Sequence, residues 1–136
     1  MITTSIFTST EEKFDNWNSL KQSITLREKL PTFKQREIWW CNIGLNVGHE
    51  ENGKNQDYSR PVLILRKFNN HIFFGITLTS QVKEKHYYHR INFKNKEQCI
   101  MISQLRLFDS KRLVNKMGDL SQKQFNEIRE ILKSLI

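Results

Sequence analysis

The sequence predicts a mainly β domain, a small and strongly curved antiparallel sheet or barrel, with a helix near each end of the chain. Two observations support this prediction. Several short strand-like runs are separated by turn-forming residues, and a single helix follows them, so the chain lacks the strand–helix alternation of a parallel sheet. At 136 residues, the chain suffices for one hydrophobic core but not for two.

Residues 1–35 differ from the remainder and form the first of two predicted regions. Ser9 lies three residues before Glu12, a spacing typical of a capping box, and predicts that a helix begins there. The apolar residues that follow recur at about the helical period and form one stripe, consisting of Phe14, Trp17, Leu20 and Ile24. Pro31 ends any helix that remains. We expect this helix to pack on the domain or on a partner.

The strongest strand signal is a central hairpin. Strand character begins at Glu37–Ile43, and the runs Val62–Leu65 and His71–Ile76 are rich in β-branched and aromatic residues. Asn69-Asn70 between the two runs tolerates positive φ angles and therefore predicts a two-residue turn.

This hairpin predicts a phosphate site at the edge of the sheet. Arg60 stands where the first strand begins, and the hydroxyl pair Thr79-Ser80 stands where the second strand ends. Because the two strands of a hairpin run in opposite directions, the start of the first and the end of the second lie at the same edge of the sheet. A cation would therefore lie there beside two hydroxyls.

The second half of the chain continues the β pattern and ends in a helix. Tyr87–Phe93 and Gln98–Ser103 have hairpin spacing, and Leu105–Phe108 predicts a further short strand. Ser121 and Gln124 form a capping box. The apolar face of the helix that follows consists of Phe125, Ile128, Leu132 and Leu135.

Charge and cysteine content narrow the possible functions. Lysine and arginine exceed acidic residues by 22 to 14, and a formal net charge of +8 favours a polyanionic partner such as nucleic acid. Cys41 and Cys99 lie far apart in apolar runs and are expected to be reduced core thiols. No Cys/His spacing indicates zinc, so we expect no metal cofactor. The sequence shows neither a membrane span nor a signal peptide, which favours the cytoplasm.

Five short motifs occur in one order along residues 36–136, the second predicted region. They are Arg36-Glu37-Ile38-Trp39-Trp40, Gly48-His49-Glu50, Arg60-Pro61, Thr79-Ser80-Gln81 and the segment 103–113, which contains Gln104, Arg106, Asp109 and Arg112. In this order they resemble the MazF/PemK family of toxin endoribonucleases from type II toxin–antitoxin systems. The chain departs from the family pattern in a longer connection between Glu50 and Arg60, and in Thr77 where a proline is usual.

The resemblance implies an SH3-like barrel of the MazF/PemK/CcdB toxin type, with a C-terminal helix and an added N-terminal helix. It implies sequence-preferring cleavage of single-stranded RNA, chiefly mRNA, without a metal. It also implies a homodimer whose RNA groove crosses the interface. A cognate antitoxin would insert a disordered acidic segment there. Because every motif follows residue 35, we expect residues 1–35 to be dispensable for catalysis but important for solubility or for partner binding.

The family reaction needs a base for the ribose 2′-hydroxyl proton, a cation for the charged phosphorane and an acid for the leaving oxygen. One set of residues implied by the resemblance is MazF-like. In it, Glu50 is the base, Arg60 clamps the phosphate and assists the acid, and Thr79 donates a hydrogen bond to an oxygen.

A second, PemK-like set overlaps the first. In it Asp109 is the base, while Arg106 and His49 stabilise charge or donate a proton, and the sequence does not decide between the two sets. The paired tryptophans of the first motif are expected to be mainly core, with at most one ring facing RNA. The RNA contacts implied by the resemblance are His49, Ser80, Gln81, Gln104 and Arg112.

Two other functions fit the same fold. One is a binding toxin that poisons DNA gyrase, a class that carries a tryptophan in its terminal helix, whereas the last tryptophan here is Trp40. The other is a non-catalytic RNA-binding module, which would need the charge and the aromatic residues but not Glu50, Arg60 and Thr79 together.

Overall fold

The structure is a computed structural model that describes residues 2–46, 50–54, 58–81 and 87–136, with side chains from residue 10 onward. The described chain contains two helices, seven strands and two short 3₁₀ turns. The helices are α1 (Ile2–Thr25) and α2 (Gln122–Ser134). The strands are β1 (Glu37–Asn42), β2 (Ser59–Lys67), β3 (Ile72–Thr79), β4 (Tyr88–Phe93), β5 (Lys96–Met101), β6 (Arg106–Asp109) and β7 (Leu113–Asp119). The 3₁₀ turns are Ile102–Gln104 and Ser110–Arg112.

The seven strands form one antiparallel sheet in the order β4-β5-β3-β2-β1-β7, with β6 paired to β3 beside that path. Strand β3 lies at a fork. Its first half pairs with β6 from Ile72 to Gly75, and its last two residues pair with β5. The predicted mainly β antiparallel fold with a helix toward each end of the chain is therefore confirmed.

The central strand β2 is buried on both faces. Alternate residues of a strand point to opposite sides, so Leu63 and Leu65 join one cluster while Val62 and Ile64 join the other. Helix α2 covers the first cluster with buried residues of its apolar face, and Phe33, Phe73 and Phe108 fill the second. Burial on both faces explains why β2 reads as a continuous apolar run in the sequence.

The turn of the central hairpin differs from the prediction. Strands β2 and β3 are joined by the four residues Phe68–His71, and neither asparagine has a positive φ. The side-chain oxygen of Asn69 instead accepts hydrogen bonds from the backbone N–H groups two and three residues on, at 2.8 and 3.0 Å. Asparagine commonly stabilises a turn in this way. The two-residue turn with positive φ angles joins β4 and β5, at Lys94 (51°) and Asn95 (60°).

Helix α1 is longer than predicted and packs on its own domain. It begins at Ile2, so the predicted capping box at Ser9 lies inside the helix. Of the predicted apolar stripe, Trp17 and Ile24 are buried and Leu20 is partly buried, whereas Phe14 is 47% exposed. The first of the two alternatives for this helix, packing on the domain, is the one observed.

The last helix follows the prediction closely. The hydroxyl of Ser121 accepts a hydrogen bond from the backbone N–H of Gln124 at 3.3 Å, and the buried residues Phe125 and Ile128 face the core. Leu135 lies beyond the end of the helix and is half exposed. Neither helix of the described chain has a stretch apolar enough to span a lipid bilayer.

The first matched motif stabilises the start of β1. One carboxylate oxygen of Glu37 accepts hydrogen bonds from the backbone N–H of Lys34 at 2.7 Å and from the Trp39 indole at 3.0 Å. The other oxygen pairs with Lys116 on the neighbouring strand β7 at 2.9 Å. Burial alone would raise the pKa of Glu37, but these contacts outweigh it and lower the pKa, so the carboxylate stays charged.

Candidate active site

Two concave pockets adjoin at the edge of the sheet near the start of β2. The first, here the Glu50 pocket, has a volume of about 340 Å³. Its polar lining combines two neighbouring carboxylates with a cation and amide groups, namely Glu50, Glu51, Arg106, Gln104 and Asn46. A carboxylate facing a guanidinium across a pocket can accept a proton while the cation stabilises negative charge.

The second, here the Arg60 pocket, has a volume of about 320 Å³. Arg60 lines it together with the hydroxyl residues Thr79 and Ser80. The β2–β3 register pairs Val62 with Thr77, and Arg60 and Thr79 each lie two residues from this pair, at the same end of the hairpin. The cation–hydroxyl arrangement expected from the hairpin is therefore present at this edge. The remaining lining includes apolar Trp40, Pro61, Leu78, Phe93 and Met117 and basic Lys54, Lys94 and Lys96.

An ion pair joins the two pockets. The Nη2 atom of Arg60 lies 2.5 Å from a carboxylate oxygen of Glu51, and Nε donates to the carbonyl of Asn52 at 2.6 Å. The two charged side chains are only 13% and 23% exposed, so the pair is partly shielded from water. Since Glu51 lines the Glu50 pocket and Arg60 lines the other, this pair forms the boundary between them.

Gln104 orients the acidic segment from the far side of the Glu50 pocket. Its side-chain oxygen accepts a hydrogen bond from the backbone N–H of Glu51 at 3.2 Å. The 3₁₀ turn Ile102–Gln104 between β5 and β6 places the amide there. Gln104, predicted as an RNA contact, thus supports the carboxylate that holds Arg60.

The predicted catalytic residues are distributed over both pockets. Arg60 and Thr79 of the MazF-like set share one pocket, while Glu50 of that set lies in the other pocket with Arg106 of the PemK-like set. Asp109 lines neither pocket. Its carboxylate accepts a hydrogen bond from the backbone N–H of Lys111 at 2.8 Å, which caps the second 3₁₀ turn.

The remaining predicted RNA contacts have different surroundings. Ser80 is exposed at the Arg60 pocket, and the backbone N–H of Gln81 donates to the Thr79 hydroxyl at 3.3 Å. His49 lies outside the described residues.

Arg112 contacts the end of β1 and helix α1. Its guanidinium donates to the carbonyls of Asn42 at 3.0 Å and Ile43 at 3.5 Å, and lies 5.9 Å from the centre of the Trp17 ring. Burial lowers the pKa of Arg112, and the nearby positive charge of Arg106 lowers that pKa further. This predicted RNA contact therefore supports the backbone next to the site.

Sequence reasoning missed two residues of the site. Glu51 forms the central ion pair, but adjacent glutamates in a loop give no signal of which one faces the arginine. Trp40 is half-buried and lines the Arg60 pocket, while its neighbour Trp39 is buried, in keeping with the expectation that at most one ring faces a ligand. Strand alternation places the two rings on opposite faces of β1, but both faces are buried, so the sequence carries no signal of which ring is accessible.

Metal and thiol chemistry have no evident group in the described part of the chain. No three His, Cys, Asp or Glu side chains cluster there in an arrangement that could hold a metal ion. Cys41 and Cys99 are free and buried, and burial raises the pKa of the Cys41 thiol to about 12. Cys41 is therefore a protonated core residue at neutral pH.

Residues 34–136 match the family model described as "PemK-like, MazF-like toxin of type II toxin-antitoxin system". The chain belongs to this family. Its members are toxins of toxin–antitoxin systems and are generally endoribonucleases. Comparison with curated protein sequences finds no match.

Solved structures of MazF toxins share the fold. MazF from Deinococcus radiodurans has a TM-score of 0.64 at 21% identity, over 79% of this chain and 97% of that one. An endoribonuclease from mycobacteria, solved in complex with its cognate antitoxin, has a TM-score of 0.58 at 11% identity, over 76% and 93%. The Mycobacterium tuberculosis toxin MazF-mt6 has a TM-score of 0.55 at 17% identity, over 73% and 94%.

We predict that Arg112→Ala lowers the free energy of unfolding by about 2 kcal/mol, because it removes charged hydrogen bonds to two backbone carbonyls. Urea unfolding measures this change. Lys123→Ala removes one exposed cation from α2 and should change the free energy by less than about 0.5 kcal/mol. Equal stability of the two variants would show that the contacts of Arg112 are not structural.

Proposed function

We propose that this family member is a toxin endoribonuclease that cleaves single-stranded RNA, chiefly mRNA, with a sequence preference and without a metal ion. The observation that carries the proposal is the position of Arg60. A partly shielded guanidinium, held by Glu51, lines one pocket together with two hydroxyl residues, and the neighbouring pocket supplies a carboxylate and a second guanidinium. These are the groups that attack by a ribose 2′-hydroxyl on its own phosphate requires.

In the proposed reaction, the 2′-oxygen bonds to phosphorus while Glu50 takes its proton. Arg60 and Arg106 stabilise the extra negative charge of the phosphorane, and Thr79 donates a hydrogen bond to one of its oxygens. The bond from phosphorus to the 5′-oxygen then breaks, and that oxygen takes a proton from solvent water while the positive charge of Arg60 stabilises it. The products are a 2′,3′-cyclic phosphate and a free 5′-hydroxyl.

The pocket geometry favours this combination over a base at Asp109. Glu50 and Arg106 face one pocket, and Arg60 lies at its boundary, whereas Asp109 is engaged in capping a turn outside both pockets. The MazF-like set, supplemented by Arg106, is therefore our preferred assignment. Participation of His49 in the PemK-like manner stays a prediction.

The walls of the Arg60 pocket suit a nucleotide next to the cleaved phosphate. The half-buried ring of Trp40 offers apolar surface for a base, and Lys94 and Lys96 bring positive charge to the rim. Ser80 and Gln81 follow Thr79 and are proposed to contact the RNA there. On the other side, Gln104 is proposed to contact RNA at the Glu50 pocket.

We also propose a homodimer formed through an exposed apolar patch on β3 and β6. Phe74 and Leu107 are register partners, and the Phe68 ring packs against Phe74 with centroids 4.8 Å apart. All three are exposed, as is Leu105, which also lines the Glu50 pocket. Because Leu105 belongs to both the patch and the Glu50 pocket, a second copy that covers the patch would place the RNA groove formed by the two pockets across the interface.

A cognate antitoxin is the proposed regulator, and the cytoplasm is the proposed location. Solved complexes pair MazF of Deinococcus radiodurans with MazE, and a mycobacterial endoribonuclease with its antitoxin. An acidic peptide could occupy the same basic groove because it presents negative charges as RNA does. The gyrase-poisoning and non-catalytic RNA-binding functions remain the alternatives.

Cleavage of a long single-stranded RNA is expected to proceed in EDTA and to leave 2′,3′-cyclic phosphate ends. Mass spectrometry of the fragments identifies the ends, and an RNA with a 2′-deoxyribose at the cleavage site is the matched control. Cutting of that control, or a strict magnesium requirement, would contradict the mechanism. Inhibition of gyrase supercoiling with intact RNA would support the alternative toxin.

Arg60→Ala is expected to lower kcat/KM for RNA on the order of a hundredfold, because it removes one electrostatic donor from the transition state. Thr79→Ala should lower kcat/KM by a smaller factor. Lys54→Ala is the matched control, since it removes an exposed cation from the rim of the same pocket and should mainly raise KM. An Arg60→Ala variant that cuts as well as the parent, or that unfolds, would assign Arg60 a structural role.

The proposed dimer predicts that Leu107→Glu converts a particle of twice 16.3 kDa into a monomer, because it places a charge in the apolar patch. Sedimentation equilibrium measures the mass. Val114→Glu is the control, because Val114 is equally exposed but lies on β7 at the other side of the sheet. A monomeric parent, or a Leu107→Glu variant that stays dimeric, would rule out this interface.

A further inference from the structure

We propose that helix α1 is a positioning element of the active site, with Trp17 fixing the base of the β1–β2 connection and thereby the position of Arg60. This inference deepens the proposed function and rests on it for its catalytic readout. It replaces the expectation that residues 1–35 are dispensable for catalysis. Helix α1 precedes the part of the chain that matches the family model.

The first step is the contact of helix α1 with the base of the β1–β2 connection. This base, here called the neck, is formed by Ile43, Gly44 and Tyr58. The backbone N–H groups of Ile43 and Gly44 both donate to the Tyr58 carbonyl at 3.0 Å. The Trp17 ring packs edge-on against the Tyr58 ring with centroids 5.7 Å apart, and the Tyr58 hydroxyl donates to the Lys13 carbonyl at 3.1 Å. Both strand ends that enter the connection are therefore held under α1.

Gly44 shows how closely the neck and the helix fit. Its φ of +80° lies in the left-handed region, and an ideal Cβ at this position would overlap the Trp17 indole. Glycine is therefore suited to this position for two reasons: it adopts the positive φ readily, and it leaves room for the Trp17 ring. Such contact couples any movement of the ring to the backbone of the neck.

The second step leads from the neck to the segment 50–54. The backbone N–H of Gly53 donates to the Gly44 carbonyl at 2.7 Å. The Asn46 side chain donates to the carbonyl of Glu51 at 2.6 Å, and the Asn46 backbone N–H donates to the Asn52 side chain at 2.6 Å. Three hydrogen bonds thus tie the segment 50–54 to residues that follow β1.

The third step leads from this segment to the reacting groups. Glu51 and the carbonyl of Asn52 hold the Arg60 guanidinium, and Glu50 lines the adjoining pocket. A path of direct contacts therefore runs from Trp17 through the neck and the segment 50–54 to Arg60. Displacing a reacting group by about 1 Å can cost on the order of a hundredfold in rate, so the position of the neck matters for catalysis.

The C-terminal end of helix α1 is anchored to the 3₁₀ turn Ser110–Arg112. The Lys111 ammonium donates to the carbonyl of Thr25 at 2.9 Å, and Arg27 donates to the carbonyl of Lys111 at 2.7 Å. Between Thr10 and Thr25, only Trp17 and Ile24 are buried. The helix thus has few contacts with the domain, and its largest buried side chain lies on the neck.

The experiment compares full-length Trp17→Ala with Phe14→Ala, which removes an exposed ring from the same helix. Trp17→Ala should lower kcat for RNA cleavage about tenfold or more while KM changes less than threefold. By NMR, amide hydrogen exchange at Gly44 and Gly53 should be at least tenfold faster than in the parent. Phe14→Ala should match the parent in every measurement. Trp17→Phe keeps an aromatic ring on the neck and should recover most of kcat.

Unchanged exchange at Gly44 and Gly53 in a folded Trp17→Ala variant would overturn the inference, whatever the activity. If that variant fails to fold, Tyr58→Phe decides, because it removes only the hydrogen bond to Lys13. Faster exchange at Gly53 in Tyr58→Phe supports the coupling, and parent-like exchange in that variant overturns it. If the parent itself does not cut RNA, the proposed function fails, while the exchange measurements still test the coupling.

Discussion

The site depends on one interaction, the ion pair between Arg60 and Glu51. A partly shielded guanidinium without a partner would be costly, because desolvation weakens its hydration and nothing replaces it. Glu51 and the Asn52 carbonyl supply that replacement and also fix the direction of the side chain, since a guanidinium donates in a rigid planar fork. The cation is thus held by the loop, while its backbone belongs to the sheet. The position of the Arg60 guanidinium consequently requires both the loop and the strand to be in place.

The same interaction places negative charge where the proposed RNA substrate would bind. A phosphate near Arg60 meets repulsion from Glu50 and Glu51, which line the adjoining pocket. Three lysines on the wall of the Arg60 pocket outnumber Glu97, the acidic residue that also lines it, and together with the net charge of +8 they offset this repulsion. This balance of charges suits the proposed role of Arg60, which is to stabilise the extra negative charge of the transition state more than it binds the phosphate of the uncleaved RNA. An acidic antitoxin segment would experience the same balance of charges.

The sequence predicted the parts of the structure that local patterns control. The apolar runs at β2 and β3 and the cap at Ser121 predicted strands and a helix at nearly the observed positions. The predicted hairpin also placed Arg60 at the same edge of the sheet as Thr79, and both line one pocket. Strand β7 was not predicted because it pairs only with β1 and buries little besides Leu113, so its residues lack a clear alternation. The sequence also could not show that Glu51 rather than Glu50 pairs with Arg60, because tertiary hydrogen bonds position the Glu51 backbone: Asn46 donates to its carbonyl and Gln104 accepts from its N–H group.

The matched motifs consist of two kinds of residue. Glu37 and Arg112 bind backbone groups at the two ends of β1, and Asp109 caps the turn that precedes β7. Arg60 and Thr79, in contrast, face a pocket. Residues of the first kind hold β1 in position, and the end of β1 leads directly into the neck. Arg112 also lies beside the Trp17 ring. Helix α1 therefore acts on the same piece of backbone that these motif residues already support, which explains how a segment outside the family match can contribute to the site within it.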